Sequence, residues 1–353
     1  MATRTVTNGV GKLICFNKHQ TFLKGFIGVV TAALIGGSSW VNADSAVPDD
    51  GVVDDTVRII GGSKAPAGKW PSMVALVNAS GTSLFNRQFC GGTKVAERWV
   101  LTAAHCMFDF NGTLRSADSM NVVGDIIDLA DASATEVVVS NIYVHPQYNN
   151  SAQNPINDIA LLELGSDIDI DSVALYTQPQ ATLVNINAAI VGWGAVDLTN
   201  GQASYPTMLQ EAVVPVVSQA TCNAPESYNG FIEEGQVCAG FKNGGIDSCS
   251  GDSGGPLFVS VDGVTHQAGI TSFGNGCAEP NFYGVYSEVA HFTDWLAQYL
   301  PEGSIDGSDP ASNTGGIQQQ VAGFSPSERS SSGAAWALLV LVLAGFVGRR
   351  RTV

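Results

Sequence analysis

Short apolar runs rich in β-branched residues recur between residues 72 and 289, separated by turn-forming Gly, Pro, Asn and Asp. Strands give this pattern, whereas a helix would repeat its apolar residues with a period of about 3.6. The 40 Gly of the chain also favour a strand-rich and loop-rich fold. We therefore predict an all-β sandwich or barrel from the runs SMVALV (72–77), WVLTAA (99–104), TEVVVSNIYV (135–144), IALLEL (159–164), AAIVGWG (188–194), EAVVPVV (211–217), PLFVSV (256–261), HQAGITSF (266–273) and GVYSEV (284–289).

One segment after these runs has a helical pattern. In HFTDWLAQYL (291–300), the apolar residues Phe292, Trp295, Leu296 and Tyr299 recur at helical spacing. We predict a closing helix there.

Charge divides the chain into segments. Residues 1–43 contain basic residues and no acid, and residues 44–58 contain five Asp and one Arg. Residues 59–302 contain 7 basic and 24 acidic residues, a net charge of −17. Because such acidity repels phosphate groups, nucleic acid is not an expected partner. The uneven distribution of charge among these three segments is typical of a chain that is exported and processed.

The two ends support export. Residues 1–43 combine a basic stretch, the apolar run 26–36 and small or apolar residues before Ala43, which predicts a secretory signal; a buried helix is the alternative. At the other end, residues 302–333 are rich in Ser, Gly, Asp and Gln and predict a flexible linker. An apolar run and three Arg follow within 334–353, which predicts a short membrane segment with its end in the cytoplasm, against the alternative of a buried C-terminal helix.

Six cysteines remain after the signal, and an even number in an exported chain predicts three disulfides. Metal ligation is less favoured because the spacings CxxC and HxxxH do not occur. Six cysteines allow 15 pairings, and their spacing does not choose among them. They are Cys90, Cys106, Cys222, Cys238, Cys249 and Cys277.

The stretch DSCSGDSGGP (247–256) places a serine among acids and glycines, which suits either a surface turn or a nucleophile loop. Ser253 is the best candidate nucleophile, because the N–H groups of Gly251 and Ser253 can point at one oxyanion. His105 in TAAHC follows an apolar strand beside a cysteine, and is a better base than His19, His145, His266 or His291. Asp158 interrupts the apolar NDIALLEL, so it is the carboxylate that a histidine N–H would satisfy.

Five motifs together resemble the trypsin/chymotrypsin family of serine peptidases, in that family's order and at similar spacing. The resemblance covers residues 59–300, and the motifs are IIGG (59–62), TAAHC (102–106), NDIAL (157–161), GWG (192–194) and GDSGGP (251–256). It implies a double six-stranded antiparallel β-barrel over residues 59–301, with the site in the cleft between the barrels.

The resemblance also assigns roles. It implies His105 as general base, Asp158 as the residue that orients it and Ser253 as nucleophile, with Gly251 and Ser253 supplying the oxyanion hole. It selects the disulfide pairs Cys90–Cys106, Cys222–Cys238 and Cys249–Cys277.

Activation follows from the same resemblance. Arg58–Ile59 is similar to the family's zymogen cleavage site, so cutting there would free an Ile59 ammonium to pair with Asp252. Residues 44–58 would then be an acidic propeptide that no disulfide tethers, and cleavage after Arg allows self-activation.

The resemblance places Asp247 at the base of the primary specificity pocket, which implies substrates with Arg or Lys before the cleaved bond. Gly274 and Gly284 match the pocket-wall glycines, Ser248 can add a hydroxyl, and Ser272 matches a residue that hydrogen-bonds the buried Asp158. Phe273 departs from the family, which usually has Trp at this position.

No cofactor is expected, with calcium as a possible exception. Residues 124–136 carry four acids, of which two fall near the family's calcium ligands; a solvated loop explains them as well. They are Asp125, Asp128, Asp131 and Glu136.

The predicted protein is a monomeric, exported trypsin-like endopeptidase made as a zymogen, secreted or held at the membrane by its C-terminus. That terminus resembles bacterial sorting signals of the Gly-Gly type, although SSSG (330–333) matches only in part. Two other classes are a catalytically dead family member that binds a partner, and an esterase with GxSxG on an α/β fold. The intact triad argues against the first, and the β-rich pattern with the order His, Asp, Ser against the second.

Overall fold

The structure is a computed structural model that describes residues 59–150, 154–198 and 202–305. The predicted signal, the propeptide with Arg58, the apolar tail and the linker beyond Ile305 lie outside the described residues. Among the described residues, no helix is both long and apolar enough to cross a membrane.

The first half of the described chain forms a closed, six-stranded antiparallel barrel in the order β2-β3-β4-β7-β6-β5. Its core contains Leu76, Leu101 and Leu161, all fully buried. The strands are β2 (Met73–Asn78), β3 (Gln88–Ala96), β4 (Trp99–Thr102), β5 (Met120–Val123), β6 (Glu136–Val144) and β7 (Ala160–Leu164), preceded by β1 (Ser63–Lys64).

The second half forms another six-stranded barrel, in the order β10-β11-β14-β13-β12-β9, which closes through the pairing of β9 with β10. Two short strands pair with members of this barrel, β1 with β10 and β8 with β13. The strands are β8 (Ala174–Leu175), β9 (Asn187–Gly192), β10 (Gln210–Val217), β11 (Gln236–Ala239), β12 (Pro256–Val261), β13 (Val264–Phe273) and β14 (Gly284–Glu288).

Strand β10 shows why these sequences form barrels. Its residues alternate between buried and half-buried along all eight positions. Since side chains of a strand point to opposite faces in turn, one face of β10 lines the barrel interior. The all-β prediction and the double barrel are thereby confirmed.

The helices of the described chain are short. Three are α-helical: α1 (Leu84–Arg87), α2 (Gln219–Cys222) and α3 (Thr293–Leu296). Ser83 and Ser218 begin the first two by accepting a hydrogen bond from the backbone N–H three residues later. Four further turns are 3-10 helical: Ala104–Met107, Ala117–Ser119, Gln180–Thr182 and Val289–Phe292.

The closing helix is shorter than the predicted range 291–300. A 3-10 turn precedes α3, and the N–H groups of Gln298 and Tyr299 then donate to carbonyls only three residues back, at 3.1 Å each. Such bonds tighten the end of a helix, and Pro301 prevents its continuation.

Candidate active site

Two strands of the first barrel bring His105 and Asp158 together. Thr102 at the end of β4 pairs with Ala160 at the start of β7, so the residues just beyond these ends lie at one edge of the barrel. The Asp158 carboxylate accepts the backbone N–H of His105 at 2.8 Å and contacts Nδ1 of the same residue at 2.7 Å. The Asp158 side chain is fully buried, whereas that of His105 remains 26% exposed. One side of the imidazole is therefore fixed and the other faces the cleft.

Two serines of the second barrel complete the surroundings of Asp158. Ser272 Oγ donates to the carboxylate at 2.5 Å, and Ser287 Oγ donates to the backbone carbonyl at 2.7 Å. Burial raises the pKa of the Asp158 carboxyl, but the charge and hydrogen bonds of His105 and the hydrogen bond from Ser272 outweigh it, so the pKa of Asp158 is lowered. Burial likewise lowers the pKa of His105, while the Asp158 charge and hydrogen bond raise it more. The pair is electrostatically suited to hold a proton on the imidazole.

Ser253 lies between β11 and β12 of the second barrel, and its backbone is tied to the first. Its carbonyl accepts the N–H of Gly91 at 2.8 Å. Gly91 follows Cys90, which forms a disulfide with Cys106, the neighbour of His105. This connection links the backbone of Ser253 to the segment that carries His105. In the described ranges no hydrogen bond joins the two side chains, and such bonds often tighten only when substrate binds.

The loop before Ser253 leaves two backbone donors available. Gly251 has a φ of 101°, in the region that favours glycine. Its carbonyl accepts the Gln88 side chain at 3.0 Å, so the loop is anchored from the carbonyl side. Within the described part of the chain, the N–H groups of Gly251 and Ser253 donate to no protein acceptor. Both are free to bind an anionic oxygen.

Asp252 points away from the cleft into the protein and is 2% exposed. Its carboxylate accepts N–H groups from Gly194 at 2.7 Å and Cys249 at 2.9 Å. A Cβ atom on Gly192 or Gly194 would collide with that carboxylate, so the glycines of the GWG motif make room for it. Burial raises the pKa of Asp252 to about 6.

The N-terminal residue of the proposed mature chain is also buried. Ile59 is fully buried and packs in the core of the second barrel. Its neighbour Ile60 accepts the backbone N–H of Asp247 at 3.1 Å. Arg58, the other side of the expected cleavage site, lies outside the described residues.

Asp247 lies between β11 and β12 of the second barrel and is 6% exposed. Its Oδ2 accepts the N–H of Ala278 at 3.0 Å, while Ser248 Oγ lies 3.3 Å from the hydroxyl of Tyr286. A Cβ atom on Gly284 would lie 2.8 Å from both Asp247 Oδ1 and the Tyr286 hydroxyl, so a side chain at this position would collide with both groups. Burial raises the pKa of Asp247 to about 7, despite backbone hydrogen bonds that lower it.

The other residues expected in the pocket are placed nearby. Gly274 and Phe273 follow Ser272 at the end of β13 and are exposed and half-buried, respectively. Phe273 packs edge-on against Tyr228, with ring centroids 6.0 Å apart. The Tyr228 hydroxyl donates to Tyr283 O at 2.7 Å and accepts the N–H of Asn275 at 3.2 Å, so it connects the residue before β14 to the segment after β13.

The three disulfides have the pairing that the family resemblance implies: Cys90–Cys106, Cys222–Cys238 and Cys249–Cys277. Within the described ranges, the single group of potential metal-ligand atoms that lie close together is Cys90, His105 and Cys106. Both cysteines are in a disulfide and offer no thiolate, so this group does not fit a metal site.

The acidic loop does not fit a calcium site in this structure. Glu136 is bound by both terminal nitrogens of Arg87 and by the Asn121 amide at 2.8 Å. Asp131 accepts hydrogen bonds from Ser133, and Asp128 from the N–H of Ala130. No three acids of this loop bring ligand atoms within 4.8 Å of one another in the part of the chain that is described. Calcium needs six to eight converging oxygens.

Sequence reasoning missed several residues that shape the site: Gly91, Gln88, Gly192, Gly194, Tyr286 and Ser287. Most act through backbone contacts or close approach between segments far apart in sequence. The GWG motif was recognised only as a family signature. The sequence did contain a sign of this packing, because the two glycines that flank the buried Trp193 indicate that another group lies close to that strand.

Comparison with known proteins agrees with the family resemblance of the sequence motifs. The trypsin family profile, described as "Trypsin", matches residues 59–296. Human transmembrane protease serine 5 is 38% identical over 245 residues, covering 68% of this chain and 51% of that protein. Human serine protease 56 is 37% identical over 70% of this chain and 39% of its own length. Mouse transmembrane protease serine 11C is 33% identical over 75% of this chain and 62% of its own length. The matched part thus spans about half the length of these curated relatives.

Proposed function

This chain belongs to the trypsin family of serine peptidases, and on that premise we propose that residues 59–301 form an endopeptidase that cleaves proteins and peptides after Arg or Lys. The observation that carries the proposal is the buried Asp158 carboxylate held on His105 at 2.7 Å, with Ser253 tied into the same cleft. The domain acts as a monomer, and its acidity argues against a nucleic-acid partner.

The chemistry follows from this geometry. His105 Nε2 takes the proton of the Ser253 hydroxyl as that oxygen attacks the substrate carbonyl. Asp158 fixes the imidazole and stabilises its positive charge, then His105 returns the proton to the leaving amine. Water hydrolyses the acyl-enzyme by the same steps in reverse order. These steps use only side chains, backbone N–H groups and water, so no cofactor is required.

Two backbone donors stabilise the charge that develops during the attack. The N–H groups of Gly251 and Ser253 have no protein acceptor among the described residues and belong to one loop. Preorganised donors of this kind contribute about 3 to 4 kcal/mol each to the lowering of the activation barrier.

Specificity for Arg or Lys is proposed from the buried Asp247. A carboxylate whose pKa is raised to about 7 by burial gains most from a cation brought directly to it. The glycine at position 284 leaves room for a long side chain to reach that carboxylate.

We infer that the precursor is a zymogen cut between Arg58 and Ile59. The new Ile59 ammonium would pair with Asp252, which is 2% exposed and, among the described residues, accepts only neutral N–H groups. Because that carboxylate precedes Ser253 directly, the pairing would order the oxyanion loop.

Export to the cell surface or beyond is proposed from the sequence of both ends. Residues 1–43 read as a secretory signal and 334–353 as an apolar segment with an Arg cluster, with anchoring until that segment is removed. Two of the relatives are named as transmembrane proteases.

The test is hydrolysis of four short peptide anilides that differ only in ending with Arg, Lys, Phe or Ala. The uncut precursor, the chain cleaved to begin at Ile59, and the cleaved Ser253→Ala variant are compared. We expect cleavage of the Arg and Lys anilides alone, only after Ile59 is freed, and none with Ser253→Ala.

Each other outcome removes a defined part of the proposal. Hydrolysis of the Phe or Ala anilide shows that Asp247 does not set specificity. Equal activity of the precursor removes the activation step. Inactivity of a correctly cleaved chain on every peptide favours a binding protein that has kept the fold.

A further inference from the structure

The segment that carries the Asp158 carboxylate belongs to the first barrel but is held by the second. Ser287 Oγ of β14 donates to the backbone carbonyl of Asp158 at 2.7 Å. A second contact lies four residues earlier in the chain, at Asn154 and Pro155. Both contacts fall on the short stretch that leads into β7, so the position of Asp158 depends on the second barrel.

The second contact is made by Gln236 of β11. Its Nε2 donates to Asn154 Oδ1 at 2.7 Å and to the Pro155 carbonyl at 3.1 Å. Its Oε1 accepts the N–H of Glu233 at 2.9 Å, so both polar atoms of the side chain have partners. Asn154 in turn donates from its amide nitrogen to Phe231 O at 2.6 Å. We call the pair Gln236 and Asn154 the amide bridge.

The amide bridge is buried on both sides. Gln236 is 5% exposed and Asn154 is 6% exposed. Because a polar group that is cut off from water loses free energy unless it is hydrogen-bonded, such a pair resists displacements that would break its bonds. An exposed pair could exchange its partners for water and would constrain the chain far less.

Gln236 and Ser287 are neighbours in the sheet of the second barrel. They lie directly opposite each other in the antiparallel pairing of β11 with β14. Residues in this relation project from the same face of a sheet, with Cβ atoms about 5 Å apart. One pair of strands therefore holds the stretch before β7 at two points, Asn154–Pro155 and Asp158.

A residue with an unfavourable backbone conformation lies between these two points. Asn157, which directly precedes Asp158, has a φ of 55°, in the left-handed region that residues with a side chain rarely adopt. Such a conformation persists only where the surrounding structure fixes it. If the contact at Asn154 is lost, we expect Asn157 to relax and the Asp158 carboxylate to turn away from His105.

We propose that Gln236 and Asn154 are positioning residues, which act on catalysis by holding the Asp158 carboxylate against His105 Nδ1. The proposal rests on the proposed peptidase function, in which Asp158 fixes the imidazole. Misplacement of a reacting group by about 1 Å can lower a rate about 100-fold. The hydrogen bonds of the amide bridge do not involve Asp247, so the effect should fall on turnover and not on substrate binding.

The experiment uses the full chain after cleavage before Ile59, with an Arg anilide as the substrate. The variants Gln236→Met, Asn154→Ala and their combination remove the amide bridge. Gln267→Met is the matched control, because Gln267 is another buried glutamine of the second barrel and its Nε2 donates within its own strand, to Gly269 O at 3.3 Å. Thermal denaturation of each variant sets an assay temperature at which all of them are folded.

The expected result is a loss of turnover with little change in KM. Gln236→Met should lower kcat about 10- to 100-fold and change KM by less than about twofold. Asn154→Ala should have the same effect, and the double variant should lose little more than either single variant, because both changes break the same bond. Gln267→Met should leave kcat and KM unchanged.

The pH dependence of kcat separates positioning from general destabilisation. Burial lowers the pKa of His105, and the charge and hydrogen bond of Asp158 raise it more. Without the amide bridge the contribution of Asp158 weakens, so the acid limb of the kcat profile should move to lower pH in Gln236→Met but not in Gln267→Met. In the bound complex the substrate cation keeps Asp247 charged, and burial raises the pKa of Tyr148 beside Asp158, so that Tyr148 stays neutral.

Three results would overturn the positioning role while leaving the proposed function standing. One is a Gln236→Met variant with the kcat and pH profile of the wild type. Another is an equal loss of kcat in Gln267→Met, which would reflect weaker folding alone. The third is a change confined to KM, which would mean that the amide bridge shapes substrate binding. If the wild type hydrolyses no peptide anilide, the proposed function fails and the positioning role with it.

Discussion

Asp247 and Asp252 are two buried carboxylates on one loop, and neither has a cationic partner among the described residues. Burial raises the pKa of the first to about 7 and of the second to about 6. Each is in a state that an added cation would stabilise: an Arg or Lys side chain for Asp247, the freed Ile59 ammonium for Asp252. At the scale of single residues, the site is prepared for charges that the uncut, unbound chain does not supply.

The first prediction concerns the pH dependence of specificity. Because the pKa of free Asp247 is about 7, the pocket is mostly uncharged below neutral pH. We expect the ratio of kcat/KM for an Arg peptide to that for its uncharged citrulline analogue to rise up to about tenfold per pH unit below 7 and to level off above it. Both peptides use the same His105, so its titration cancels in the ratio.

The raised pKa of Asp247 also affects the stability of the fold, which should fall as pH rises while the preference for Arg increases. A carboxyl whose folded pKa is raised stabilises the fold fully below its unfolded pKa and loses that contribution as pH rises through about 7. An Asp247→Asn variant is the control for both effects, and its ratio should not vary with pH. A wild-type ratio that is equally flat would show that Asp247 does not contact the substrate cation.

At the scale of elements, apolar and β-branched runs in the sequence located nine strands, whereas β3, β5 and β11 were among those missed. The run 256–261 coincides with β12, and 211–217 lies within β10. Strand β3 was missed because Gly91 and Gly92 interrupt its pattern. Length does not explain why β11 was missed, since the equally short β4 was located. Glycine at position 92 is required by the close approach of Val100 and Leu101, a contact that depends on strand pairing and is not visible in a linear pattern.

The acidic loop 124–136 is a second case in which a contact between residues far apart in sequence could not be predicted. Charge pattern alone could not tell a calcium site from a solvated loop, because the deciding residue, Arg87, lies 49 positions before Glu136. Arg87 also donates to Asn78 O at 2.9 Å, so one guanidinium connects the loop end to β2. The Arg87 side chain is 11% exposed and that of Glu136 is 26% exposed.

The second prediction is that this ion pair takes the place of a metal in stabilising the loop. A double-mutant cycle with Arg87→Met and Glu136→Gln should give a coupling of about 0.5–3 kcal/mol in the free energy of unfolding. The pKa of Glu136 is lowered mainly by its hydrogen bond with Arg87, so the coupling should be present above the carboxyl's ordinary pKa and disappear as pH falls through the lowered one. Chemical denaturation at several pH values measures it.

Calcium provides the opposing outcome for that prediction. The melting temperature of the wild type should not change when calcium is added, and Asp125→Asn, an exposed acid of the same loop, should show no coupling with Arg87. A rise in melting temperature with calcium that Asp125→Asn abolishes would establish a metal site instead.

At the scale of the whole molecule, the site exists only where two barrels meet. His105 and Asp158 come from the first barrel, and Ser253, Ser272 and Ser287 from the second. The individual residues could be proposed from sequence motifs, because each motif is local. Their relative positions could not, since these depend on backbone contacts such as Gly91 N–H to Ser253 O and on the segment 165–173 that connects the barrels.

Lys94 of β3 binds that connecting segment through its buried side chain. Its ammonium donates to Ile168 O at 2.7 Å and Ile170 O at 2.9 Å, and contacts the carboxylate of Asp167 at 2.8 Å. The backbone carbonyl of Lys94 accepts the N–H of Val173 at 3.0 Å, just before β8 of the second barrel begins. One 5%-exposed lysine therefore satisfies three acceptors on the connection.

The last prediction is that Lys94→Met lowers the free energy of unfolding by about 2–5 kcal/mol, because it leaves two carbonyl oxygens and a carboxylate without their shared donor. It should also lower kcat more than it raises KM for an Arg peptide, since Lys94 is remote from the specificity pocket but fixes the connection between the barrels that carry His105 and Ser253. Lys64→Met, which removes an exposed lysine, is the control and should change neither quantity. Lowered stability with an unchanged kcat would mean that the contacts across the cleft hold the barrels in place by themselves, and unchanged stability would mean that Lys94 does not support the connection.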